Sequence, residues 1–280
     1  MVQHVLVDKA AIRVVTPPEI NNMDQQLPEW ARRSNPIVRR HLGAYWKTLL
    51  PDFSFIVRLF LVQAVFVIAS YVAPMLFTIL MPTVTVSLVL LPGALILYLH
   101  SLFMIGTLSA TSMVDERRKE TLPLMLIIPR PLLHVLYSKV SAAVWRQIEN
   151  VGLVWIAVVL FSMPLLIIQY DVLISMDDNP VLMRAGLILA LLSALMRVLL
   201  EPIMIGALGV LMGATMWARV PAVVGTGMIA GAYFFGVNLL RLLPLDPVIR
   251  LFVDTVLPVI LPIVITVGAF RLAAWALRQD

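Results

Sequence analysis

Long runs of apolar residues separated by short polar segments are the main pattern of this chain. No Asp, Glu, Lys or Arg occurs from Leu59 to Val114, and one membrane span needs about 20 apolar residues. This run therefore predicts two spans, with a break at Met81-Pro82-Thr83. Four more apolar windows follow it. Together they predict six transmembrane helices, at about residues 56–80, 84–112, 150–170, 183–214, 220–241 and 254–277.

The polar segment before the first span has two predicted parts. Residues 1–34 form an N-terminal tail without the apolar core and cleavage site of a signal peptide. Residues 35–51 predict an amphipathic helix in the membrane interface, capped by Asn35 and opened by Pro36. Basic and aromatic residues suit the lipid headgroup layer, and the candidate interfacial anchors are Arg39, Arg40, Tyr45 and Trp46. The alternative is a helix that packs on a partner protein.

The composition excludes a water-soluble globule. Hydrophobic residues make up 61% of the chain and charged residues 13%, whereas a soluble domain is roughly half apolar and about a quarter charged. A globule of this composition would expose a largely apolar surface. The same numbers exclude intrinsic disorder, and the absence of cysteine excludes a disulfide scaffold. We therefore predict an all-α polytopic membrane protein, with residues 52–280 as its transmembrane domain.

The distribution of Lys and Arg predicts the orientation in the membrane. Seventeen of the 21 basic residues lie within residues 1–58 or 113–149, or are Arg219, Arg271 and Arg278. Basic residues favour the cytoplasmic side of a membrane. Both termini and the segment 114–140 are therefore predicted to be cytoplasmic. The net charge of +5 then reflects orientation and does not indicate a nucleic-acid partner.

The segment 114–140 carries the most informative pattern. A charged cluster at 115–120 precedes the apolar run 122–128, which is followed by Pro129-Arg130-Pro131. The run is too short to span a bilayer, and its exposure to the cytosol would be unfavourable. We therefore expect it to dock either on the protein's own membrane domain or on a soluble partner.

This segment resembles the ABC-2-type transporter permeases. After their second span, these proteins carry a pattern close to Glu-Arg-x-x-Gly-Thr-Leu-Glu-x-Leu-Leu-x-x-Pro, followed by a Lys. The residues that match in register, without a gap, are Glu116, Arg117, Thr121, Leu122, Leu126, Pro129 and Lys139. Two positions depart from the pattern, since Glu120 replaces the usual Gly and Pro123 replaces the usual acidic residue.

The resemblance implies that 114–140 holds a cytoplasmic coupling helix, seated in a cleft of a separate nucleotide-binding ATPase subunit. The implied ATPase-coupling residues are the matching residues together with Glu120. The resemblance also implies a dimer with a second permease copy or a paralogue, in the bacterial inner membrane. The implied activity is export of an amphipathic, lipid-linked or glycan substrate, with ATP and Mg²⁺ bound by the partner subunit. Re-entrant helices are implied after span five, from about residue 243.

The sequence contains none of the common catalytic motifs. There is no Gly-x-x-x-x-Gly-Lys-Ser/Thr phosphate-binding loop, no Gly-x-Ser-x-Gly and no His pair at metal-ligand spacing. We therefore predict that the chain is not an enzyme and has no cofactor or metal of its own.

Arg197 and Glu201 are the candidate intramembrane polar pair. They stand four residues apart in the fourth span, so they share one helical face and can neutralise each other. An unpaired charge at this position would raise the free energy of membrane insertion by about 2.5–3.5 kcal/mol. Pro202 follows and predicts a kink. Three interpretations stay open: a pair that lines or gates a pathway, a structural pair that faces a neighbouring helix, and a span that ends early near an interface.

Two glycine pairs predict close helix crossings. Gly209-x-x-x-Gly213 and Gly227-x-x-x-Gly231 each place small residues on one face of a span. Packing within the chain is the favoured interpretation, and a seam between two copies is the alternative.

Two other functions stay open beside the permease. One is a non-transporting structural or accessory subunit that retains the permease fold, which the departures at Glu120 and Pro123 favour slightly. The other is an ATP-independent channel or secondary carrier.

Overall fold

The computed structural model describes residues 25–43, 52–119, 131–174 and 179–279. These residues form α-helices joined by short connections, and no strand occurs among them. The helices are α1 (Pro36–Leu42), α2 (Phe53–Ala69), α3 (Met75–Leu80), α4 (Thr83–Arg118), α5 (Leu132–Arg146), α6 (Ile148–Leu173), α7 (Pro180–Thr215), α8 (Arg219–Leu242), α9 (Pro247–Thr255) and α10 (Leu257–Gln279).

Five of these helices, α4, α6, α7, α8 and α10, are long and apolar enough to cross a membrane. The chain is therefore a helical, multi-pass membrane protein. Helices α4 and α7 have 36 residues each, which is about 54 Å at 1.5 Å per residue. Because the hydrocarbon core of a bilayer is roughly 30 Å thick, both helices are long enough to carry side chains beyond it.

The predicted first span, 56–80, is divided in the structure. Helix α2 has 17 residues, and residues 70–74 separate it from the six-residue α3. Pro74 precedes α3 and lacks the backbone N–H that would continue the helix. The Ser70 carbonyl, past the end of α2, accepts a hydrogen bond from Arg184 Nη2 of α7 at 2.8 Å. The first of the six predicted spans is therefore not one of the five long helices.

Helix α1 begins as the sequence predicts. The Asn35 side chain accepts a hydrogen bond from the Ile37 N–H at 3.0 Å, and Pro36 fills the first helical position. The helix ends at Gly43, whose φ of 55° lies in the left-handed region that favours glycine. The described helix thus covers only the first part of the predicted range 35–51.

The apolar face of α1 packs on the protein itself. Val38 and Leu42 are fully buried, and they form a hydrophobic cluster with Ala142 and Trp145 of α5. This part of the predicted interfacial helix therefore presents its apolar residues to α5. Residues 44–51 lie outside the described part of the chain.

Helices α4 and α7 cross at glycines. A methyl group on Gly209 would lie 2.6 Å from the Gly106 carbonyl oxygen, and one on Gly213 would lie 2.5 Å from the Ala110 carbonyl oxygen. The two backbones therefore approach as closely as small residues allow. Packing within the chain, the favoured interpretation of the first glycine pair, is confirmed.

The second glycine pair differs from the first. Within the described parts of the chain, nothing lies within 4 Å of a methyl group added at Gly227 or Gly231, and both residues are exposed on α8. This pair is therefore not at a close crossing with another described helix. A seam between two copies stays a prediction for it.

Two basic residues near the predicted outer ends of the spans, Arg184 and Arg241, have partners within the protein. The Arg184 side chain is buried, and its Nε donates to Ser70 Oγ at 3.0 Å. Arg241 Nε, on α8, lies 3.1 Å from Asp254 Oδ1 on α9. Arg184 thus joins α7 to the end of α2, and Arg241 joins α8 to α9. Helix α9 occupies the place in the chain where the resemblance implies re-entrant helices.

Candidate functional site

Three of the predicted ATPase-coupling residues lie in the described parts of the chain: Glu116, Arg117 and Lys139. The other five, Glu120, Thr121, Leu122, Leu126 and Pro129, lie outside the described residues, and so does most of the predicted coupling segment. Of the predicted interfacial anchors, Arg39 and Arg40 are exposed on α1, whereas Tyr45 and Trp46 lie outside the described residues.

Glu116 and Lys139 are in direct contact. Lys139 Nζ donates to Glu116 Oε2 and lies 3.2 Å from Met113 Sδ. The Lys139 side chain is completely buried, and only 10% of the Glu116 side chain is exposed. This ion pair joins α4, which leads into residues 120–130, to α5, which follows them.

Arg117 joins α4 to the end of α7. Its Nη1 donates to the Ala214 carbonyl at 2.8 Å, and its guanidinium lies 4.0 Å from the centroid of the Trp217 ring. Ala214 is the penultimate residue of α7, where carbonyl groups lack a partner within the helix. Arg117 therefore supplies a hydrogen-bond donor to the last turn of α7 and stacks on the connection to α8.

Asp115 joins α4 to α8. Its two carboxylate oxygens accept hydrogen bonds from Arg219 Nε at 2.6 Å and Nη2 at 2.8 Å. Such bidentate pairs fix orientation as well as distance. Three consecutive residues, 115–117, therefore connect the end of α4 to α8, α5 and α7 respectively.

Helix α1 closes the other side of this cluster. His41 Nε2 lies 3.6 Å from Glu116 Oε1, and Arg146 of α5 donates to the His41 carbonyl. Asn35 Nδ2 donates to Ser138 Oγ at 3.2 Å. The cluster thus draws on α1, α4 and α5, although its members are far apart in the sequence.

The cluster has a positive local potential. Burial, together with the charges of Lys139, Arg40 and Arg146, lowers the pKa of His41 to about 4. Burial, with the nearby Arg40, lowers the pKa of Lys139 to about 7. His41 is therefore uncharged at neutral pH, although it lies beside the Glu116 carboxylate.

Protonation of His41 is expected to destabilise the fold in acid. Because the pKa of His41 is lower in the folded chain than in the unfolded one, the unfolded chain binds more protons between pH 6.5 and 4. We expect the free energy of unfolding to fall by up to about 3 kcal/mol over that interval. The midpoint of thermal unfolding in detergent, measured from pH 7.5 to pH 4, checks this.

Two variants make this measurement specific. His41→Gln removes the titrating group, so its midpoint should fall much less than that of the parent chain. His100→Gln, which changes an exposed histidine of α4, should leave the parent's pH dependence intact. Equal slopes for the His41 variant and the parent would refute the assignment.

A second polar cluster lies within the membrane helices. Arg197 Nε donates to Glu201 Oε1 at 2.8 Å. Tyr98 of α4 donates to Glu201 Oε2 at 2.7 Å, and Tyr233 of α8 donates to Glu201 Oε1 at 3.1 Å. The Glu201 side chain is 1% exposed and the Arg197 side chain 22% exposed. The predicted pair is thus formed, and its carboxylate accepts three hydrogen bonds.

The two tyrosines were not predicted from the sequence. Tyr98 lies 103 positions from Glu201, and Tyr233 lies 32 positions from it. The only signal in the sequence is a phenol within an otherwise apolar span, because a buried hydroxyl needs a partner. That signal does not identify which partner the hydroxyl has.

The Arg197 guanidinium borders a cavity of about 200 Å³. The remainder of its wall is formed by α7, by Tyr98 and by apolar residues of α4 and α6: Leu91, Ala94, Leu95, Val154 and Val158. Pro202 lies inside α7, which stays helical from Pro180 to Thr215. The pair is therefore well inside a long helix, which excludes the interpretation of a span that ends early.

Among the described residues, no group of three or more His, Cys, Asp or Glu side chains is arranged to hold a metal ion.

Comparison of the chain with family models, with curated proteins and with solved structures finds no match.

Proposed function

We propose that this chain is the membrane subunit of an ABC-2-type transporter, and that it exports an amphipathic, lipid-linked or glycan substrate with ATP hydrolysed by a separate subunit. The observation that carries the proposal is the contact of Glu116 with Lys139. Both belong to the pattern that resembles these permeases, and they lie 23 positions apart. Their ion pair joins the helix that precedes the implied coupling helix to the helix that follows it.

The connections of α4 support a mechanical role. Residues 115–117 attach the cytoplasmic end of α4 to three other helices. A displacement of the segment 120–130 by a partner would therefore move α4, α5, α7 and α8 together, as packed helices move in a switching transition. The segment need only be rigid and well seated to act as a lever.

Helix α4 also connects this lever to the intramembrane cluster. It is continuous from Thr83 to Arg118, and it carries both Glu116 and Tyr98, which donates to Glu201. The two positions are about 27 Å apart along the axis at 1.5 Å per residue. In the proposed transporter, movement of α4 changes the contact between Tyr98 and Glu201, and the Arg197–Glu201 pair lines the pathway.

The proposal includes a second permease copy or paralogue, cytoplasmic termini and a bacterial inner membrane, and α2 serves as the first of six spans. Its 17 residues are at the lower end of the length that crosses a bilayer.

The second candidate is a non-transporting subunit with the same fold. The three hydrogen bonds accepted by Glu201 favour it, because a fully satisfied buried network also serves to fix helix positions.

Reconstitution distinguishes these functions. We expect the chain to co-purify with an ATPase, and vesicles that contain both to move a fluorescent phospholipid, used as an amphipathic probe, only when ATP is present. Co-purification without movement of any amphipathic or glycan-linked probe identifies the structural subunit. Movement without an ATPase identifies a channel or secondary carrier and contradicts the proposal.

A further inference from the structure

A polar cavity of about 330 Å³ lies between α1, the end of α4 and α5. Its wall includes the basic residues Arg40, Lys119, Lys139 and Arg146 and the acidic residues Asp115 and Glu116. It is thus unlike the cavity beside Arg197, whose wall is largely apolar. With His41 uncharged, the described lining has four basic and two acidic side chains.

Both carboxylates of the cavity wall are already engaged. Asp115 binds Arg219, a residue outside the described lining, through both of its oxygens. Glu116 binds Lys139 at the cavity wall. Neither acid is left to neutralise Arg40 and Lys119, whose side chains are exposed. Among the described lining residues, basic side chains therefore outnumber the acidic ones, and both acids are already paired.

Burial is the largest cause of the lowered pKa values of His41 and Lys139, and nearby cationic side chains add to it. Arg40 contributes to the lowered pKa of both His41 and Lys139, and Arg146 contributes to that of His41. In addition to the effect of burial, positive side chains at the cavity therefore lie close enough to repel one another. A bound anion would relieve this repulsion.

The position of the cavity limits the chemistry of that anion. It lies beside the basic residues of α1, α4 and α5, on the side that the distribution of Lys and Arg predicts to be cytoplasmic, and anionic headgroups on that side of a membrane attract basic residues. Arg and Lys side chains bind phosphate oxygens through charge-assisted hydrogen bonds. We propose that the cavity binds a phosphate group, carried either by the headgroup of an anionic lipid or by a free phosphate ester.

This inference does not depend on the proposed function, because a phosphate site at this position suits a transporter and a structural subunit alike. A ligand held there would contact α1, α4 and α5 together. It would therefore hold together the helices that flank residues 120–130, in addition to the contact of Glu116 with Lys139.

Titration of the purified chain in detergent tests the proposal. The probes are short-chain phosphatidylglycerol, short-chain phosphatidylcholine and glycerol 3-phosphate, and the measurement is isothermal titration calorimetry. We expect phosphatidylglycerol to bind more tightly than phosphatidylcholine. Arg40→Gln with Lys119→Gln should weaken phosphatidylglycerol binding by about 25-fold, since each basic residue contributes about fivefold.

A matched double variant controls for the loss of charge. Arg271→Gln with Arg278→Gln removes two exposed basic residues of α10, and we expect it to change the affinity by less than about twofold. Both doubles change exposed side chains, so their thermal unfolding should match that of the parent.

The outcomes separate the two sources of the phosphate. If glycerol 3-phosphate binds as tightly as the lipid, and loses affinity in the Arg40/Lys119 double variant, the ligand is a free phosphate ester. If only the lipid shows this loss, the ligand is a headgroup. Equal binding of phosphatidylglycerol and phosphatidylcholine without any binding of the ester, or an equal loss in both double variants, would overturn the proposal.

Discussion

Gly209→Ala and Gly213→Ala are each expected to destabilise the fold by about 1–3 kcal/mol, as overpacked contacts do. At Gly213 the new methyl group would lie 2.5 Å from the Ala110 carbonyl oxygen and 2.6 Å from Met113 Cβ. These atoms belong to the backbone or sit next to it, so no flexible side chain can move aside. Helix α4 must then separate from α7. The midpoint of thermal unfolding in detergent measures the loss.

The second glycine pair supplies the control. Gly227→Ala with Gly231→Ala introduces the same two methyl groups, where nothing lies within 4 Å in the described structure. Alanine is a better helix former than glycine by up to about 1 kcal/mol, so this double variant should unfold at the same temperature as the parent or higher. If Gly209→Ala with Gly213→Ala also unfolded at the parent's temperature or higher, α4 and α7 would not be in close contact at these glycines.

The control pair also tests the alternative that the sequence leaves open. If α8 forms a seam with a second copy, Gly227→Leu with Gly231→Leu should lower the fraction of dimer while the monomer keeps its stability. An unchanged dimer fraction would exclude α8 from that seam. Crosslinked species counted on a denaturing gel, over a range of protein-to-detergent ratios, provide the measurement.

Glu201→Ala is expected to lower the free energy of unfolding by about 3–5 kcal/mol, because it removes one partner of a largely buried ion pair. Arg197 Nε and the hydroxyls of Tyr98 and Tyr233 would all lose the acceptor that they share. Thermal unfolding again gives the comparison. Glu29→Ala, a change at an exposed carboxylate before α1, should stay within about 0.5 kcal/mol of the parent.

The double variant Arg197→Met with Glu201→Leu separates a structural role from a transport role. Replacing both charges by apolar residues leaves no unpaired ion, so most of the stability should return. If the pair lines the pathway, this stable variant loses transport, whereas a purely structural pair leaves transport intact. A Glu201→Ala chain no less stable than Glu29→Ala would show that the cluster of hydrogen bonds does not form.

The sequence predicts the positions of the long helices well, because apolar runs end at charges, prolines and turns. Helix α7, Pro180–Thr215, covers the predicted span 183–214, and α6, Ile148–Leu173, covers 150–170. The predicted span 56–80 is not one continuous helix, and the sequence does not show this because the apolar pattern continues through residues 70–74. The interruption depends on Pro74 and on a hydrogen bond from Arg184, which is 114 positions away from Ser70.

The candidate sites show the same limit. The i, i+4 spacing of Arg197 and Glu201 identifies a local pair, and the structure confirms that they bind each other. The partners of Glu201 from other helices, Tyr98 and Tyr233, depend on how α4, α7 and α8 pack together. Likewise, Glu116 and Lys139 were selected through a resemblance, and their contact follows from the packing of α4 on α5.

Cysteine cross-linking tests the central claim, that the segment after α4 docks on an ATPase. The chain has no cysteine of its own, so single cysteines placed at each of the positions 120–128 report only on those positions. A cysteine at Val248 of α9, which is exposed at the far end of the membrane helices, is the matched control. We expect one or more of positions 120–128 to cross-link to the ATPase that co-purifies with the chain, and position 248 not to. The absence of a cross-link at all positions 120–128 would contradict the account.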